Sequence, residues 1–202
     1  MSIVKLNNRS VKDITAFGSI TSLGSLTHIS TQTANSSASV NFTSGIDNSF
    51  KEYIFFMVHI HPNSQSAFQF NGSIDGGSNY NVTKTTTAWN AAHRNDGSGN
   101  GIGYESTYDL AQSTNYVSLD QENLHTGNDN GGCGILHLFN PSSDTFVKHF
   151  ISRFQNNASS GNWFNDTWVS GYMNSTSAIN AVSFKMSSGN IDAGQILLFG
   201  LN

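Results

Sequence analysis

Short stretches in which apolar and polar residues alternate recur along the chain, separated by clusters of Gly, Asn, Ser and Asp. Period-2 alternation between turn-forming residues is the mark of half-buried β-strands. "SVNFTSG" alternates at Val40 and Phe42, and "EYIFFMVHIH" (Glu52 to His61) is the longest such run. Pro62 ends it, because proline donates no ladder hydrogen bond. "AFQFNGS" and "GGSNYNVTKTTTAWN" follow, then a polar, Gly-rich passage from Ala91 to Gly132. "CGILHLFNP" and "TFVKHFISRF" are expected to pair as a hairpin across "NPSSD". "DTWVSGYM", "AVSFKM" and "GQILLFGL" close the chain, the last two joined by "SSGNIDAG", whose Gly and Asn suit a hairpin turn. No heptad, long helical stripe or linker interrupts this order. Turns at this spacing predict an all-β chain, a single-domain antiparallel β-sandwich of jelly-roll-like form. The domain is expected to take in residues 1–202, with about 1–25 as a short N-terminal extension.

Composition sharpens this picture. Charged residues make up 11% of the 202 positions, against about 25% in an ordinary domain. Asn, Ser, Thr and Gly fill the gap, and Glu occurs only at Glu52, Glu105 and Glu122. The polar surface therefore lacks strong helix formers. The net charge of −4, with no basic block, argues against nucleic acid as a partner. No run approaches the roughly 18 apolar residues of a membrane span. "MSIVKLNNRS" has no apolar core of a signal peptide, so export by the general secretory route is not expected. The lone Cys133 excludes an intrachain disulfide.

Two histidines one residue apart, His59 and His61, precede Pro62. His-x-His-Pro is half of a zinc site in some metalloproteases, which then need Ser and Asp downstream. The usual spacing falls on Gln69 and Gly72, while Ser73 and Asp75 are out of register. A Glu a few residues on, as cupin metal sites require, is also missing. Zinc is therefore not expected, although His59 and His61 remain its best candidates. Strand alternation puts Tyr53, Phe55, Met57, His59 and His61 on one face and Ile54, Phe56, Val58 and Ile60 on the other. Both faces are apolar, so the first set is expected to meet a neighbouring subunit. A homotrimer is the predicted assembly, to which the hairpin from Gly134 to Phe154 would contribute. His137 and His149 are expected mid-strand in that hairpin, as hydrogen-bonded core residues.

The Gly-rich passage opens with "DGSGNG", whose Asp96, Ser98 and Asn100 alternate like the start of a calcium loop. Thr107 stands where the closing Glu belongs, so at most weak calcium binding is expected and no cofactor is assigned. Nucleophilic catalysis finds no Gly-x-Ser-x-Gly elbow. Cys133 and His137, at i and i+4 of one strand, are too far apart to pair.

The strings "SFKEYIFFMVHIHP", "FQFNGSIDGGSNYNVTKTTT", "LHLFNPSSDTFVKHF" and "FKMSSGNIDAGQILLFGL" resemble a family of proteins of marine bacteriophages, many of them infecting cyanobacteria. The likeness runs from about Ser39 to the C-terminus. It implies a jelly-roll-like β fold and a place on the phage particle, and brings no catalytic residues with it. The function expected first is a non-catalytic virion structural protein on the particle exterior, as capsid decoration or in the tail, contacting other virion proteins. The alternative is a receptor- or carbohydrate-binding module of a tail fibre that meets a host surface glycan. Trp89, Tyr104 and Trp163 are its candidate ligand-binding residues, with Trp168 expected in the core. A glycan hydrolase comes third and would show two carboxylates in one cleft. "AAHRNDGSGNGIGYEST" is where exposed loops are expected.

Overall fold

The computed structural model describes residues 26–158 and 162–201, and the extension expected at 1–25 lies outside them. The strands are β1 (Thr27–Ser37), β2 (Val40–Phe42), β3 (Glu52–Pro62), β4 (Phe68–Ser73), β5 (Lys84–Arg94), β6 (Asn100–Tyr104), β7 (Val117–Ser118), β8 (Gly131–Phe139), β9 (Lys148–Ala158), β10 (Trp163–Met173), β11 (Ala181–Met186) and β12 (Ile191–Leu201). One 3-10 turn, Ser106–Tyr108, is the sole helical element among the described residues. The strands form two antiparallel sheets packed as a sandwich. The larger has the order β1-β12-β3-β8-β9-β10-β5-β6, and the smaller β2-β11-β4-β7. Successive strands β1/β2, β3/β4, β7/β8 and β11/β12 alternate between the sheets, whereas β5–β6, β8–β9 (the hairpin expected across "NPSSD") and β9–β10 are hairpins within the larger one. "SSGNIDAG" thus does not close a hairpin. Its turn, with Gly189 at φ 71, carries the chain from β11 across to β12 in the opposite sheet.

The core lies between the sheets and is dominated by phenylalanine. Phe184 of β11 stands at its centre, stacked against Phe68 and Phe70 of β4 and edge-on to Phe55 of β3 and Phe42 of β2. Phe150 and Phe154 of β9 close the contact, against Phe70 and Phe68 respectively. Each fully buried ring is worth roughly 1.5–3 kcal/mol relative to exposure, and the edge and offset geometries suit the ring quadrupoles.

Strand β3 corrects one sequence expectation. Tyr53, Phe55 and Met57 are at most 1% exposed and belong to this core. They face the molecule's own second sheet and are not available to a neighbouring subunit. The opposite face, Ile54, Phe56 and Val58, is the outer one. A bulge then breaks the alternation. The β3–β8 register shifts between Met57 and Ile60, with His59 at φ 50, while Gly194 on neighbouring β12 takes φ 129. A Cβ at Gly194 would stand 2.7 Å from the His59 carbonyl oxygen, so only glycine fits against this bulge. The extra residue returns Ile60 to the core, fully buried, and sends His59 to the surface.

Candidate functional site

The inward positions of the hairpin strands change character along their length. Near one end β10 buries Val169 and Met173, and β9 buries Phe150 and Phe154. At the other end the same face carries Asn156, Asn165, Thr167 and, from β5, Asn90, each at most 4% exposed. Buried amides must find partners, and these form a chain. Thr167 Oγ1 donates to Asn90 Oδ1 (3.2 Å), and Asn90 Nδ2 donates to Asn165 Oδ1 (3.4 Å). The Gln121 backbone N–H donates to Thr167 Oγ1 (3.1 Å), and Asn156 Nδ2 to the Gln121 carbonyl (3.1 Å). Asn165 Nδ2, Asn156 Oδ1 and Gln121 Oε1 are left without a protein partner. Asn165 and Gln121 line a cleft of about 290 Å³.

Three segments build the rest of the cleft. Strand β6 supplies a wall without side chains, since Gly101 and Gly103 pair opposite Ala92 and Asn90 on the inward face. A Cβ at Gly101 would meet nothing within 4 Å. Strand β10 begins with Trp163, whose indole lines the cleft and carries the Arg94 guanidinium 5.3 Å from its centre. Residues 119–124 bring Gln121 and Glu122 to the mouth. This loop is tied at both ends, by Leu119 N–H to Phe68 O (2.8 Å) and Leu124 N–H to Ser66 O (3.0 Å). Between them Asp120, fully buried, accepts the Phe68 N–H at 2.8 Å through Oδ1, while Oδ2 has no partner. Burial pushes its carboxyl up to about 8, against the opposing pull of backbone N–H groups. Glu122 and Asn123 both take φ 63, a left-handed backbone that surrounding contacts must enforce.

Two carboxylates therefore share the cleft, Glu105 at the end of β6 and Glu122 on the loop. The Glu105 carboxyl is raised above the ordinary value, first by burial and then by the charge of Glu122. Neither was singled out from the sequence, where each stands alone in a polar stretch.

Of the aromatic candidates, only Trp163 lies in the cleft. Trp89 and Tyr104 are register partners on the opposite, outer face of the same sheet. Trp168, expected in the core, is on that outer face too. Its indole stacks on Trp89 with centroids 5.1 Å apart and planes 7° from parallel. Arg153 covers its other side at 4.8 Å and forks onto Asp166. Both faces of Trp168 are thus occupied within the ladder. Tyr104 is 65% exposed and donates its hydroxyl to Asp109.

The metal candidates separate. His59 is exposed on the bulge, with its backbone N–H toward Cys133 Sγ at 3.3 Å. His61 is half-buried, its Nε2 at 3.1 Å from the Gly127 carbonyl. His137 pairs with Glu52 on the outer face rather than in the core, and His149 is exposed beside Tyr172. Asp96 and Ser98 sit in the β5–β6 turn, where Asp96 Oδ1 accepts the Ser98 N–H (2.9 Å) and stands 3.5 Å from Arg94 Nε. Asn100 is already in β6. The alternating oxygens of "DGSGNG" are thus a hairpin turn. Among the described residues, no group of three or more His, Cys, Asp or Glu is placed to hold a metal. Nor is any helix there long and apolar enough to cross a membrane.

No protein-family model matches the chain, and no curated protein does. A solved structure from Bacteroides ovatus, itself described as of unknown function, aligns with 53% of this chain at 10% identity and a TM-score of 0.28, and the chain spans 45% of its length.

Proposed function

We propose that the chain is a non-catalytic carbohydrate-binding module of the exterior of a phage particle, taking a sugar into the cleft between β6, β10 and residues 119–124. The particle context rests on the sequence resemblance. The sugar-binding reading rests on one observation: a buried amide, Asn165 Nδ2, left unpaired in a cleft that also holds an indole. A polar group unpaired after folding loses a full desolvation penalty, which a ligand hydroxyl recovers. Pockets for small ligands combine an apolar wall with a few placed polar groups, and here Trp163 is the wall and Asn165 and Gln121 are the polar groups. Amides exchange hydrogen bonds with hydroxyls and neither gain nor lose a proton at neutral pH, which suits recognition. Glu105 and Glu122 in the same cleft are the two carboxylates that the hydrolase reading requires, so release of reducing ends is the outcome against which this reading is tested. The outer ladder is the weaker candidate, because the faces of Trp168 are already covered.

Titration of the purified chain against a panel of oligosaccharides, read by tryptophan fluorescence, tests this. Binding is expected to be lost in Trp163→Ala and in Gly101→Val, whose added methyls enter open space in the cleft, and kept in Trp89→Ala. Binding that survives Gly101→Val and disappears in Trp89→Ala would move the site to the outer face. Steady release of reducing ends by the wild type would show an enzyme.

A further inference from the structure

The charges around the cleft are one-sided. Glu105 and Glu122 line it, and no Lys, Arg or His does. Two arginines of the neighbouring strands stand outside this lining. Arg94 covers the Trp163 ring and stands against Asp96, and Arg153 is forked onto Asp166 on the opposite face of the sheet. Burial first, and then the charge of Glu122, holds the Glu105 carboxyl above its ordinary value. The loop geometry keeps Glu122 there: its N–H donates to the Tyr108 hydroxyl at 3.3 Å, and its own backbone is held in the left-handed region. Two like charges at one mouth without a counter-ion are an unfavourable arrangement that a bound cation relieves. Independently of the charges, Asn165, 1% exposed, lines the same cleft with its amide nitrogen unpaired, and Trp163 lines it with its indole.

From these groups together we infer that the cleft selects a sugar carrying a free amine, whose ammonium sits between Glu105 and Glu122 while its ring lies against Trp163 and a hydroxyl accepts from Asn165. This deepens the carbohydrate-binding reading and rests on it. Acidic sugars, uronates among them, meet two carboxylates and are rejected. N-acetylated sugars lose the charge and with it the interaction with both glutamates. A hydrogen bond to a charged group is worth about tenfold or more in affinity, so the free amine should bind at least about tenfold tighter than its neutral counterpart. A bare amine without a ring gains the charge contact but neither the indole nor the amide.

The probes are glucosamine oligomers, the same oligomers N-acetylated, glucose oligomers, glucuronate and a plain diamine, each titrated by calorimetry under slightly acid conditions that keep the amine protonated. The expected order is glucosamine first, by about tenfold over the acetylated and glucose forms, with glucuronate and the diamine weakest. In Glu105→Gln/Glu122→Gln the preference for the amine is expected to fall to near one while glucose-oligomer binding persists. That residual binding shows that the double variant is folded and that its site is intact. Equal binding of glucosamine and glucose oligomers by the wild type overturns the amine selectivity and leaves the sugar site standing. Glucosamine binding that survives Gly101→Val overturns the amine selectivity as well, since attraction to the acidic surface would then explain it, and counts against the cleft as the site of binding. A diamine as tight as the glucosamine oligomer shows an amine site with no sugar recognition. If none of the sugars binds, the carbohydrate reading itself fails.

Discussion

Asp120→Asn offers the sharpest test of how the cleft loop is held. The Asp120 carboxyl is fully buried, and burial moves it from an ordinary 3.8 to about 8. The folded state therefore binds a proton more tightly than the unfolded chain does. The stability this proton confers is complete below the unfolded value and is lost as pH rises through the folded one. Within that window one proton is worth about 1.4 kcal/mol per pH unit. Between pH 5 and pH 7 the wild type should thus lose about 3 kcal/mol through this one group, a large part of the roughly 5–15 kcal/mol of an ordinary domain. Asparagine has the same shape. Its Oδ1 still accepts from the Phe68 N–H, and its amide nitrogen occupies the place of Oδ2, which has no protein partner in the wild type either. Urea unfolding followed by tryptophan fluorescence at pH 5 and pH 7.5, in both proteins, isolates the term, because every other titrating group is common to the two. The variant is expected to exceed the wild type by only about 1–2 kcal/mol at pH 5, little more than one unit above the unfolded value, and by about 5 kcal/mol at pH 7.5. Parallel loss of stability in the two proteins, or a variant weaker than the wild type at pH 7.5, would show that Asp120 is ionised and satisfied in the fold.

Other outcomes follow from the same geometry. Phe55→Asp places a charge among Phe42, Phe184 and their neighbours, beyond the 3–5 kcal/mol of losing the ring alone; it is expected to abolish near-ultraviolet dichroism. A folded, dissociated Phe55→Asp protein would restore the subunit-contact role for that face. Trp168→Ala should cost about 2–3 kcal/mol, from a half-buried indole, its stack on Trp89 and its contact with Arg153. The coupled dichroism of the two parallel indoles should vanish in Trp168→Ala and Trp89→Ala and persist in Trp163→Ala. Elemental analysis is expected to find no stoichiometric zinc, and one zinc per chain lost in His59→Ala/His61→Ala would refute this. Calcium binding should be no tighter than the 10⁻⁴–10⁻³ M of weak extracellular modules; micromolar affinity abolished by Asp96→Ala would contradict the turn role of that loop.

The strands that alternate strongly were legible from the chain, because one buried face forces the period. β3, β4, β8, β9, β10, β11 and β12 fall where Phe, Ile, Leu and Val recur. β1 was missed for a physical reason. It is an edge strand whose one buried apolar side chain is Ala34, so "THISTQTANSS" carries no stripe to read. β6 was hidden in the Gly-rich passage, since every residue of it is exposed. The bulge at His59 escaped because its cause is not local. It needs Gly194, which is distant in sequence, to admit the carbonyl of His59. The apolar character of both β3 faces was read correctly, but the bulge and the second sheet decided which face became core. The turn "SSGNIDAG" shows the same limit. Its glycine reverses the chain equally well whether the next strand pairs with the last or crosses to the other sheet.

The cleft was the least legible part, and the reason lies in how polar residues are used. In a chain this rich in asparagine, Asn90, Asn156 and Asn165 read as turn or surface residues. They are in fact inward positions of three neighbouring strands, in register with Ala, Val and Phe further along the same faces. The signal available was positional: alternation continues through "WFNDTWVSGYM", but its inward member changes from Val169 and Met173 to Thr167 and Asn165. A strand whose inward face turns polar partway along cannot bury that end under an apolar sheet without unpaired groups. It must build a hydrogen-bonded network, or leave room for something that supplies the missing bonds. Here the amides do both. Asn90, Asn165 and Thr167 bond to one another, the loop of residues 119–124 meets this end through Gln121, and the one amide nitrogen left unpaired on Asn165 points to a ligand rather than to a packing fault.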